Sequence, residues 1–150
     1  MKISYPRNIR FRCVRCAICC GDTENRARTI LMLKIEADKI AEKTSMAHRE
    51  FAEKVEGFEP YVYKMRKTTE GKCLLLEGKT CSIYAIRPII CRFYPFELKN
   101  KGSNRCTFIA TDECPAIGAG PQLKDRYFKK LFDGLTDLME KNARLIHCKS

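Results

Sequence analysis

Four cysteines within eight residues, Cys13, Cys16, Cys19 and Cys20, constrain this chain more than any other feature. The segment reads C-V-R-C-A-I-C-C, which is C-x2-C-x2-C-C. Two residues between successive thiols set the sulfurs on the inside of one loop, where they can share a metal centre. A disulfide is poorly served by this spacing, because it needs Cα atoms roughly 4.4–6.8 Å apart and Cβ vectors that converge. The loop therefore reads as a metal site. Six further cysteines, at 73, 81, 91, 106, 114 and 148, have to be placed around it.

Compartment and composition agree with that reading. The first twelve residues carry charges but lack the apolar stretch of a secretory leader. The longest apolar runs, such as residues 30–33, are far too short to cross a bilayer, so no membrane partner is expected. Ten cysteines without an export signal point to a reducing, cytoplasmic setting. At 150 residues the expectation is a single domain over 1–150, with a core that a metal would reinforce. The 29 Lys and Arg against 18 Asp and Glu give a net charge of +11. Two four-cysteine centres would lower that to about +7. Such an excess suits a nucleic-acid or acidic-protein partner, yet the basic residues are scattered as on an ordinary solvated surface.

Along the chain, residues 9–13 read as a short strand leading into the cysteine loop, which Gly21-Asp22 closes with a turn. Residues 29–33 read as a buried strand, and residues 35–43 as a helix with Ile35, Ala37, Ile40 and Ala41 at helical spacing. Ser45 is expected to cap a second helix with Phe51 and Val55 inward, ending near Gly57. Alternation at Tyr61, Tyr63 and Met65 predicts a strand. Residues 72–76 and 80–84 predict a hairpin about Glu77-Gly78-Lys79, with Cys73 and Cys81 on its two arms. Pro88 fits the first turn of a short helix within 86–92 that Pro95 ends, and residues 96–98 read as a strand. From Pro121 to about residue 146 the steps of three and four between Leu123, Tyr127, Phe128, Leu131, Phe132, Leu135 and Leu138 predict a long amphipathic helix. The fold class is α+β: a small metal-stabilised domain with cysteine-bearing loops, short strands and that helix.

Zinc sites usually draw C-x2-C pairs from two separated hairpins. Three cysteines at successive x2 spacing instead match the ferredoxin-type run whose remote ligand is followed by proline, and Cys114-Pro115 supplies such a ligand. The spacing leans toward iron–sulfur over zinc. Vicinal side chains diverge in most backbone conformations, so Cys19 and Cys20 are not expected to bind one metal atom together. Eight thiols suffice for two four-cysteine centres, or for one cluster with four thiols to spare.

The loop motif, together with K-C-L-L-L at 72–76, C-S-I-Y-A-I-R-P-I-I-C-R-F-Y-P-F at 81–96 and C-P-A-I-G at 114–118, resembles the YkgJ-like cysteine-cluster family of zinc- or iron-chelating domains. That family includes the flagellin lysine-N-methylases, which are larger proteins. The likeness runs from residue 11 to about 120 and departs at Ala116, where the family usually has glycine. The resemblance implies an iron–sulfur cluster, [4Fe-4S] in type and in one or two centres, or alternatively Zn2+. It places the metal ligands at Cys13, Cys16, Cys19, Cys20, Cys73, Cys81, Cys91 and Cys114. Cys106 and Cys148 fall outside it and read as a core residue and a terminal thiol. Arg87 and Arg92 flank Cys91 and are candidates to donate hydrogen bonds to sulfur.

The expected function is an intracellular metal-binding protein, with a [4Fe-4S] cluster, a redox or protein-modification accessory role and an unidentified protein or redox partner. One alternative is a zinc-binding structural module for a nucleic-acid or protein partner, motivated by the charge and by Tyr61 and Tyr63 as exposed aromatics. Another is a protein lysine N-methylase-like activity, which the resemblance alone suggests. No phosphate-binding glycine loop, Ser/His/Asp triad or paired-carboxylate signature accompanies it, and His48 and His147 read as surface and terminal residues.

Overall fold

In the computed structural model, which describes residues 2–13, 16–24 and 26–147, the strands are short because the apolar runs that make them are short. Strand β1 (Lys2–Ser4) lies parallel to β9 (Arg105–Ala110), which pairs antiparallel with β8 (Phe96–Gly102). The pair β2 (Arg10–Phe11) and β10 (Ile117–Gln122) sets Phe11 opposite Ile117. A second three-stranded sheet has β5 (Tyr63–Met65) between β3 (Leu31–Met32) and β4 (Ala52–Lys54). Strands β6 (Leu76–Glu77) and β7 (Thr80–Cys81) close a hairpin. With helices α1 (Lys34–Thr44), α2 (His48–Phe51), α3 (Ile89–Phe93) and α4 (Asp125–His147), the architecture is the expected α+β.

Two apolar clusters hold these elements together. The first gathers Met32, Ala37, Ile40, Phe51 and Met65 with Cys73, Leu75 and Ile83. The second is aromatic, with Phe93, Phe96, Phe108 and Phe128 in contact, and α4 supplies Phe128, which stacks on Tyr5 at 4.5 Å between ring centroids. Burying a phenylalanine fully contributes about 1.5–3 kcal/mol, so this cluster anchors α4. Helix α3 stands between the two. Its Ile89 and Phe93, four apart, face the aromatic cluster, while Ile90 and Cys91 pack against the first. One short helix thus ties the cysteines to both cores.

Several sequence expectations need correction. Ser45 does not cap a second helix: it ends α1 in the left-handed region with φ 59°, and α2 stops at Phe51. The chain then enters β4, because pairing with β5 outweighs the helical spacing of Phe51 and Val55. Gly21 is extended rather than turned and bridges to Lys72. Cys73 lies before the hairpin, whose pairing covers only Leu76–Glu77 and Thr80–Cys81. Pro121 belongs to β10, and α4 begins at Asp125. Its 23 residues run roughly 34 Å. The strand after Pro95 extends to Gly102 and turns through Ser103 and Asn104, both at positive φ as a type I′ turn requires, into β9. Tyr61 and Tyr63 are half-buried, and His48, at a partly exposed position, bonds Asp38 at 2.7 Å. The side chain of His147 and all of Cys148 lie outside the described residues. Among the described residues, no helix is long and apolar enough to cross a membrane.

Candidate metal centre

Cys13 follows β2, and Cys16, Cys19 and Cys20 occupy the loop beyond it. Ala17 adopts φ 67°, and from it a single 3-10 turn, Ile18–Cys20, winds back so that the Cys20 N–H donates to the Ala17 carbonyl at 3.0 Å. That turn keeps the vicinal pair together. The Cys19 and Cys20 sulfurs are 4.0 Å apart, closer than the expected divergence of adjacent side chains.

Two glycines let the remaining pieces of chain approach this loop. A Cβ on Gly21 would stand 2.8 Å from the Gly71 carbonyl oxygen and 2.7 Å from Lys72 Cδ. Because that space is empty, the Cys73 N–H reaches the Cys20 carbonyl at 2.5 Å. On the other side, a Cβ on Gly120 would fall 2.5 Å from Arg12 Cβ, and its φ of 79° favours glycine as well. This contact presses β10 onto β2 beside Cys13 and brings Cys114 to the same end of the pair. The other two thiols come from β7, at Cys81, and from α3, at Cys91.

All eight cysteines singled out from the sequence line one cavity of about 140 Å³, together with Arg87 and Arg92. Cys106 does not line it; it is buried in β9. The buried Ala116, at the position where glycine was expected, forms part of the wall. None of the eight thiols is in a disulfide. Among the described residues, no three His, Cys, Asp or Glu side chains stand close enough to hold one ion in this geometry, so coordination requires the sulfurs to draw in. Such convergence on loading is usual where metal binding and folding are coupled.

The chemistry of the donor set fits a metal. Burial pushes the Cys91 thiol up to about 12 and raises those of Cys73, Cys81 and Cys114, so without a metal these groups keep their protons. Cys19 is shifted the other way by the S–H of Cys20, and Arg28 and Arg87 add to the effect. Cys20 in turn holds its proton against that neighbour. Arg28 was not anticipated from the sequence. Its Nε donates to the Cys19 carbonyl at 3.0 Å, while its Nη2 is buried without a hydrogen-bond partner among the described residues. A negatively charged thiolate centre is the kind of neighbour such a donor lacks. The only hint was the Arg26-Ala27-Arg28 alternation just past the cysteine loop. Arg87 and Arg92 each give one N–H to a backbone carbonyl, Tyr84 at 2.7 Å and Arg87 at 3.0 Å. The Arg87 guanidinium also lies 4.0 Å from the centroid of the Tyr84 ring.

Comparison with known proteins points to the same metal-chelating chemistry. The family described as "CxxCxxCC: Putative zinc- or iron-chelating domain" matches residues 12–115, the span that carries all eight thiols. An uncharacterized protein of Methanocaldococcus jannaschii is 30% identical over 136 residues, which cover 83% of this chain and 68% of that protein. No solved structure matches significantly. The chain belongs to the CxxCxxCC family of zinc- or iron-chelating domains.

Proposed function

We propose that the protein carries iron–sulfur, of the [4Fe-4S] type, and works as a redox component or as an accessory to a protein-modifying reaction. One observation carries this reading. The thiols of the tight C-x2-C-x2-C loop and the remote Cys114, which Pro115 follows, line the same cavity, the combination that a cuboidal cluster needs in order to receive thiolates from several directions. When bound, such a cluster takes up and releases single electrons.

The chain's own residues suit that use. Ile30, Met65 and Ile83 make the cavity wall apolar and limit water around the buried thiols. Arg28, Arg87 and Arg92 supply positive charge on the cysteine side of the fold, offsetting a thiolate set that is negative overall. The test is anaerobic purification, iron and sulfide analysis, and an optical spectrum before and after a reductant. A brown protein that bleaches reversibly is expected. A colourless protein that holds zinc and does not respond to reductant would overturn the reading.

A further inference from the structure

We infer that the eight thiols form two adjacent four-cysteine centres: an outer one from Cys13, Cys16, Cys19 and Cys114, and an inner one from Cys20, Cys73, Cys81 and Cys91. The inference rests on the metal-binding reading above and goes beyond it in assigning each sulfur to a centre.

Packing separates the two sets. Cys73 is part of the first apolar cluster, and Cys20, Cys81 and Cys91 pack against it; the other four do not belong to it. Backbone pairing draws the same line. The Cys73 N–H bonds the Cys20 carbonyl, and Cys81 sits opposite Leu76 in the hairpin that follows Cys73. Cys91 joins them through α3, whose Ile90 rests on the same cluster. Cys13 and Cys114 are instead brought together by β2 and β10. From the Phe11–Ile117 pair, the antiparallel strands carry residue 13 and residue 114 toward the same end.

Ligand arithmetic completes the assignment. A tetrahedral ion or a cuboidal cluster takes four thiolates, and each set holds four. The outer set has the C-x2-C-x2-C spacing with a remote Cys-Pro; the inner set takes up the thiols which that pattern leaves over. The vicinal pair is the junction, with Cys19 on one side, Cys20 on the other and 4.0 Å between their sulfurs. Cys13 is exposed and Cys73 buried, so the outer centre is the one solvent reaches.

The test is cobalt(II) titration of the reduced, metal-free protein under nitrogen, read by cobalt–thiolate absorbance, with metal per chain measured independently. Wild type is expected to saturate at two cobalt ions. Cys13→Ser with Cys114→Ser should bind one, and Cys73→Ser with Cys91→Ser should bind one, each with half the absorbance. Because Cys73 is buried and its variant can unfold, Cys20→Ser serves as a second inner variant and should lower the absorbance from one centre only. A chelator should strip wild-type protein in two phases of equal amplitude, the first of them absent from the outer-set variant. Saturation at one cobalt, or loss of all binding in both the outer-set variant and Cys20→Ser, would overturn the partition and leave the metal-binding reading standing. A chain that binds neither cobalt nor iron would overturn both.

Discussion

The carboxylate of Glu36 accepts the backbone N–H of Ile89 at 2.6 Å across 53 residues of sequence, and its other oxygen accepts the N–H of Leu33 at 3.0 Å. One side chain, only 8% exposed, therefore occupies the N-terminal ends of both α1 and α3. Each helix begins with N–H groups that have no partner within the helix, and a carboxylate there satisfies them with favourable sign. Since α3 carries Cys91, this bridge sets one wall of the metal cavity.

Glu36→Ala removes both acceptors and leaves two buried N–H groups unpaired. A loss of about 2–4 kcal/mol is expected, read by urea denaturation of the metal-free protein. Metal affinity should fall with it, because α3 is no longer held to α1. An unchanged denaturation midpoint would mean that water takes over both bonds.

Glu36 also gives the fold a pH dependence. Burial raises its pKa above the ordinary 4.5; the two N–H donors, and the charges of Arg92 and Lys39, pull the other way without cancelling it. Tyr61 faces it too, and its own pKa is raised by burial and by the Glu36 charge. With the folded pKa above the unfolded one, the contribution is fully present below 4.5 and is lost as pH rises through the raised value. Wild type should therefore lose stability relative to Glu36→Gln as pH is taken from 4 toward neutrality. Parallel stability curves for the two proteins would contradict this.

Asn142 performs a similar task from the far end of α4. It is 2% exposed, and its Oδ1 accepts the Ile35 N–H in the first turn of α1 at 3.1 Å. Asn142→Ala should cost about 1–2 kcal/mol in thermal or chemical unfolding. Lys141→Ala, one residue away, breaks only an ion pair to Asp137 whose side chains are 57% and 61% exposed, and it should cost under ~0.5 kcal/mol. Equal effects of the two substitutions would show that α4 is held by its apolar face alone.

Gly21→Ala tests how Cys20 is positioned. The backbone at Gly21 is extended, which alanine adopts without strain, so any effect is one of space. The Lys72 methylene can swing aside, but the Gly71 carbonyl at 2.8 Å is backbone and has to move. The expected result is a folded protein, destabilised by about 1–3 kcal/mol as in other overpacked sites, with at least tenfold weaker metal binding. Wild-type metal affinity would show that Cys20 and Cys73 need not be so close.

What could be read from the residues was local. Helix α1 follows from Ile35, Ala37, Ile40 and Ala41, and the contact face of α4 from Leu131, Leu135 and Leu138, because helical periodicity needs no partner. All eight cavity cysteines were identifiable, six of them from C-x2-C-x2-C-C and the C-x9-C segment that holds Pro88. What escaped depends on distant chain. Cys106, Phe108 and Ala110 alternate as a strand does, and β9 forms a local hairpin with β8, but its parallel pairing with residues 2–4 on the other edge has no local pattern to announce it. Arg28 bonds the Cys19 carbonyl nine residues back, a contact that the Arg26-Ala27-Arg28 alternation alone does not announce.

Arg28 provides the last test. Its charge acts on both Cys19 and Cys91, and among the described residues no carboxylate is bonded to its side chain to neutralise it. With an iron–sulfur centre in place, a cation at this position favours the more negative, reduced state and so raises the reduction potential. Arg28→Gln should shift the midpoint to a more negative value while leaving iron content and fold intact. Arg28→Lys keeps the charge but lacks the Nε–H that bonds the Cys19 carbonyl, and it should lie between the two. If both variants lose iron in proportion, Arg28 holds the loop in place and does not tune the centre. If glutamine leaves the potential unmoved at full occupancy, the charge is screened and the electrostatic account of this residue is wrong.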